Sequence, residues 1–146
     1  MKLLNFYPAI PSERAFVNSF NENLQGIAKH FWHDLNGIAP FFIVTAIGVG
    51  VATCWYYYRP YNNKPGRHYK PSHWFKFMLI CFLLTLGVTL GFEHFIKTTL
   101  NGAGMTMFWI ALNNALYSIV VYFVMSLMWC NFLPTKAYRY LKLKKS

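Results

Sequence analysis

A chain of 146 residues has the length of one ordinary domain, yet 55% of it is hydrophobic and its mean hydropathy is positive, too apolar for a soluble fold of that size. Fourteen Lys and Arg against four Asp and Glu give a formal charge of +10, which in general suits nucleic acid, an anionic surface or cytoplasmic lipid headgroups. The placement of those charges has to decide among the three.

Residues 1–11 hold one Lys and a short apolar patch but no signal-peptide core followed by a small-residue cleavage site, so no cleaved leader is expected. From residue 12 to 36 the pattern predicts an amphipathic helix. Ser12 stands at the N-cap, and Glu13 sits at the positive end of the dipole. Phe16, Phe20, Leu24, Ile27, Phe31 and Leu35 recur at three- and four-residue steps, while Asn18, Asn21, Glu22, Gln25 and Lys29 lie mostly on other faces. Such a helix suits a membrane interface or a partner protein equally. His30, His33 and Asp34 share a face with a spacing that suits the first ligands of a metal, but no further ligand cluster follows in sequence, and the plain reading is a polar interface.

A domain of three spans is expected over residues 37–133. The first runs over 38–58, with Pro40 in its first turn and the Trp55, Tyr56, Tyr57, Tyr58 run as an interfacial aromatic belt. Gly48, Gly50 and Ala52 in it favour close helix packing. The connection that follows is rich in Pro, Gly and Asn and carries Arg59, Lys64, Arg67 and Lys70, which marks it as a turn-rich loop.

The second span covers 77–96, anchored by His73, Trp74 and Lys76. Cys81, Thr85, Thr89, Glu93 and Lys97 form a polar ribbon at four-residue steps, and Gly87 with Gly91 makes a small-residue pair on another side of the helix. Glu93 is the acidic group associated with a span, hence the default candidate for ion or proton handling. An interfacial salt bridge to Lys97 is the plainer alternative. After a short crest, the third span covers 106–133 without a charge and is long enough to require tilt or an extension beyond the bilayer. Asn113 and Asn114 lie about 100° apart on it, so at least one faces protein or water, with Ala111, Ala115 and Ser118 extending that face. A polar clasp between helices is the plain reading; a pore lining or ligand site is the sharper one.

Residues 134–146 form a basic tail with Lys136, Arg139, Lys142, Lys144 and Lys145. Three spans put this tail and the first loop on one side, and the positive-inside rule makes that side cytoplasmic, with the N-terminus outside. The basic residues of loop and tail then read as contacts to anionic headgroups rather than to nucleic acid. His68 and His73 fall on the opposite side from His30, His33 and His94, so the histidines cannot form one centre. Cys54, Cys81 and Cys130 all lie in apolar stretches, with neither a disulfide framework nor a zinc spacing.

The fold class expected is therefore an all-α membrane protein: three transmembrane helices, N-out and C-in, preceded by an amphipathic interfacial helix. Because each span carries a small or polar face, partners are expected to be other membrane subunits or further copies of the chain, together with lipids. The function expected is a non-catalytic subunit that anchors or scaffolds a larger complex, with no cofactor, metal or catalytic residue. The alternative is a homo-oligomeric pore lined by Asn113, Asn114 and Ser118, with Glu93 at its outer mouth. A membrane enzyme comes third, resting on His30, His33, Asp34, Glu93 and His94. A bacterial inner membrane is the location expected, and an organelle membrane obeys similar charge rules.

Overall fold

The computed structural model describes residues 4, 7–8, 10–65, 70–95, 100, 103–137 and 141–143. Its elements are α1 (Glu13–Asn18), α2 (Glu22–Tyr56) continued by a π-helical turn (Tyr57–Tyr61), α3 (Pro71–Phe95) and α4 (Ala103–Phe132). The last three helices are each long and apolar enough to cross a membrane.

The segment from 12 to 36 does not form one helix. Ser12 caps α1 as expected, its hydroxyl accepting from the Ala15 amide at 3.3 Å. The helix then stops after Asn18, where the Ser19 hydroxyl donates back to the Phe16 carbonyl at 2.6 Å and Gln25 Nε2 reaches the Phe20 carbonyl. Short polar side chains compete here with the helix ladder, and the break folds α1 back along α2. Phe16 thereby reaches Trp32 (ring centroids 5.1 Å) and Phe31 (5.8 Å) instead of continuing one stripe, and Leu24 and Ile27 are left exposed.

From Glu22 the chain runs unbroken through residue 36 into the first span, so Pro40 lies in the interior of a 35-residue helix rather than in a first turn. Its missing amide frees the carbonyl of Asn36. The Asn36 side chain is engaged as well: its Oδ1 accepts from the Leu4 amide at 3.5 Å. The Trp–Tyr run at the other end splits by face. Trp55 and Tyr56 point outward, as an aromatic belt would, whereas Tyr57 and Tyr58 are buried. The π turn adds Arg59, Pro60 and Tyr61 to the helix and closes on Asn62, whose amide donates to the Tyr57 carbonyl.

Three helices leave one another with two apolar clusters. Near the end where α3 runs out and α4 begins, Leu4, Tyr7, Phe16, Phe31, Trp32, Leu35, Phe42 and Ile110 pack together. Near the end that carries the first loop, Tyr57, Tyr58, Trp74, Tyr122, Trp129 and Ala137 do so. We call the described residues before α1 (4, 7–8 and 10–12) the strap, and these two ends the strap end and the loop end. The tail joins the loop end, where Thr135 donates to the Tyr58 carbonyl at 3.5 Å and Asn131 donates to the Leu141 carbonyl (3.1 Å) and accepts from the Leu143 amide (2.9 Å). Loop and tail thus share one end of the bundle, while all four acidic residues, Glu13, Glu22, Asp34 and Glu93, belong to the other.

Between the clusters lies a waist of small side chains: Ala46 and Gly50 on α2, and Ala111, Ala115 and Ser118 on α4. A methyl group at Gly50 would stand 2.8 Å from Val121 Cγ1 and 3.0 Å from the Ser118 carbonyl, so the backbones of α2 and α4 meet there. At Gly48, Gly87 and Gly91 a methyl group would meet nothing within 4 Å. Gly50→Ala should therefore destabilise the bundle by about 1–3 kcal/mol, the usual cost of overpacking, while Gly87→Ala should leave it unchanged. Unfolding in detergent followed by circular dichroism separates the two, and equal stability of both variants would refute the close approach.

Candidate functional site

The polar ribbon of α3 faces α4, and its described members Cys81, Thr85, Thr89 and Glu93 are all buried. Four-residue steps drift little around a helix, so one α3 face presents a polar group at each turn to one α4 face. Hydrocarbon offers no water to these groups, so they have to meet partners within the protein. From the loop end upward the bonds form a column. Tyr58 and Cys130 meet at 3.3 Å; Ser126 accepts from Trp74 Nε1 at 3.1 Å and sits 3.6 Å from Cys54 Sγ. The Tyr122 hydroxyl donates to the Trp74 carbonyl at 3.3 Å. Higher up, Cys81 donates to the Ser118 hydroxyl at 3.5 Å, Thr85 to the Cys81 carbonyl at 3.0 Å, and Asn114 Nδ2 to Thr89 Oγ1 at 2.8 Å.

At the strap end the column changes character. Asn113 Nδ2 donates to the Trp109 carbonyl and, also at 2.8 Å, to the carbonyl of Pro8, which ties the N-terminal segment across α4. Tyr7 is carried in by that tie and sets its ring edge-on to Tyr117, with centroids 5.7 Å apart. Burial above all, then the proximity of Tyr117 and of Glu93, pushes the Tyr7 hydroxyl well above its ordinary pKa, so it stays protonated. Glu93 itself is 1% exposed. Among the described residues neither of its oxygens has a hydrogen-bond partner, and the Tyr7 hydroxyl and Asn114 Oδ1 are likewise unpartnered.

The residues singled out from sequence are thus distributed over several surroundings. Asn113, Asn114, Ser118, Thr85, Thr89 and Glu93 come together in the α3–α4 seam. Gly87 and Gly91 face away from it. Arg59, Lys64, Lys70, Lys136 and Lys142 are exposed at the loop end, while Arg67, His68, Lys97, Arg139, Lys144 and Lys145 lie outside the described residues. His30 and His33 line a groove of about 570 Å³ with Glu13, Lys29, Trp32 and Asn36, and Asp34 and His94 are exposed. Among the described residues no three His, Cys, Asp or Glu side chains gather as a metal site. Cys54, Cys81 and Cys130 are free and buried.

Tyr7, Pro8 and Ser126 are not marked by the sequence, and Trp74, expected as an interfacial anchor, is instead buried against Ser126. Ser126 follows Ser118 at eight residues, two helical turns, and that periodicity was the available signal; Tyr7 and Pro8 lie in no periodic segment. No family model matches the chain, and no match is found among curated proteins or solved structures.

Ser126 accepts from the buried indole of Trp74, so Ser126→Ala should remove that bond and lower stability by roughly 1–2 kcal/mol. Denaturant titration of the purified variant checks this; an unchanged midpoint would show that the Trp74 bond contributes nothing.

Proposed function

We propose that the chain is a non-catalytic integral membrane subunit that anchors or scaffolds a larger membrane complex, with the strap end outside and the basic loop and tail in the cytoplasm. The observation that carries this reading is the length and support of α2. Its 35 residues reach about 52 Å at 1.5 Å per residue, against a hydrocarbon thickness of about 30 Å. With the apolar run beginning near residue 38, the part from Glu22 to Asn36 stands beyond the hydrocarbon as a rod, braced by α1 through Phe16 and by the strap through Leu4. Leu24 and Ile27 are 38% and 45% exposed on that rod, where lipid tails do not reach, and a partner subunit would cover them.

The opposite end suits anchoring to anionic headgroups. Arg59, Lys64, Lys70, Lys136 and Lys142 are exposed there, each worth on the order of 1 kcal/mol near such a surface. A bacterial inner membrane, with its cytoplasmic surface facing this end, fits the charge distribution. The alternative of a pore between copies draws less support, because Asn114 and Ser118 are bonded within their own chain rather than turned outward.

Gentle extraction into native lipid discs should give particles whose protein mass exceeds the 17.1 kDa of one chain, and the double variant Leu24→Glu, Ile27→Glu should release the chain from its partners while its helical spectrum persists. A bare monomer in the wild-type discs would sink the scaffold reading. Orientation is checked separately, by maleimide labelling of cysteines introduced at Lys64 and Lys142 in sealed vesicles. Both should react only after the membrane is opened, whereas one at Glu22 should react at once; the reverse pattern would invert the topology. The native thiols are buried, so the background should be low.

A further inference from the structure

Four of the buried oxygens without a partner fall in one neighbourhood: both of Glu93, Asn114 Oδ1 and the Tyr7 hydroxyl. Their closeness follows from separate contacts. Asn114 is bonded to Thr89 at 2.8 Å, and Thr89 stands one turn before Glu93 on α3. Tyr7 lies against Tyr117, three residues after Asn114 on α4, and feels the charge of Glu93. An ionised carboxylate in such surroundings costs far more than an unmade hydrogen bond unless a positive charge accompanies it. Among the described residues no Lys, Arg or His supplies that charge: His94, next in the chain, is exposed, and the titratable group that feels the carboxyl is Tyr7 from the strap.

The geometry points to a binding site for one monovalent metal cation such as sodium, held by Glu93, Asn114 Oδ1 and the Tyr7 hydroxyl. The donor set is all oxygen, one carboxylate with amide and hydroxyl groups, which suits hard cations and not zinc or copper. One carboxylate balances one positive charge; a divalent ion would leave an excess charge buried. At 1% exposure the carboxyl offers no open face to an organic amine. A proton is the natural competitor, since protonated Glu93 can donate to Asn114 Oδ1 while the Tyr7 hydroxyl donates to its other oxygen. The bond from Asn113 to the Pro8 carbonyl keeps Tyr7 at the site, so exchange requires that bond to open. The site is complete within one chain and does not depend on assembly with partners.

Dicyclohexylcarbodiimide couples to protonated carboxyls in apolar surroundings, and peptide mass mapping locates the adduct. In wild-type protein held in lipid discs, Glu93 should be labelled in sodium-free choline chloride, and sodium at ten times its dissociation constant should slow labelling about tenfold. Sodium should also raise the unfolding temperature of the wild type and not that of Glu93→Gln. Labelling indifferent to sodium would mean that the site takes a proton only, and no labelling at Glu93 in sodium-free buffer would mean that it does not exchange; either result overturns the proposal. Equal protection by calcium, or a sodium-dependent rise that survives in Glu93→Gln, would overturn it as well.

Discussion

Within hydrocarbon a polar side chain has no solvent to fall back on, and the arrangement of this bundle follows from that constraint. α4 carries Asn113, Asn114, Ser118, Ser126 and Cys130 along its buried side, and α2, α3 and the strap answer them with Cys54, Tyr58, Trp74, Cys81, Thr89 and the Pro8 carbonyl. Each bond is worth only about 0.6–1.7 kcal/mol in a membrane, but each fails if a helix slides by one residue. The polar column therefore fixes register more than it supplies stability. Apolar packing at the two ends supplies the bulk, and Gly50 lets α2 and α4 approach closely enough for the short hydroxyls to reach across.

Size is distributed accordingly. Tyr, Trp and Phe fill the ends, where the helices have room to diverge, and Ala, Gly and Ser occupy the waist. The buried pair Tyr57 and Tyr58 shows why composition alone misplaces an aromatic run. Successive residues on a helix turn by about 100°, so four adjacent aromatics cannot all lie at one lipid interface, and two of them complete the core.

Much of this was legible in the sequence. The span count followed from apolar run length, the polar ribbon of α3 from four-residue spacing, and the Ser12 cap from its place before Glu13. The continuity of α2 was not legible, because a Pro and a change from amphipathic to wholly apolar pattern at residues 36–40 look like a boundary; the helix crosses it because Pro40 removes one rung while packing on both sides retains the rest. The break at Ser19 was hidden for the opposite reason: hydrophobic spacing persists across it, and only the long-range contact of Phe16 with Trp32 resolves the conflict in favour of folding back. The seam was half visible. Periodicity named the groups on α3 and α4, but Tyr7 and Pro8 reach it from an aperiodic segment, and pairing across the bundle leaves no trace in local pattern.

The bond that ties the strap joins Pro8 to Asn113, positions 105 residues apart. A contact of that span is among the last a chain can make, since its far member emerges only when the final helix is being synthesised. All three helices must therefore enter the bilayer with the N-terminal segment still loose. Through that interval Asn113 keeps only its bond to the Trp109 carbonyl, and the N-terminal segment completes the seam last.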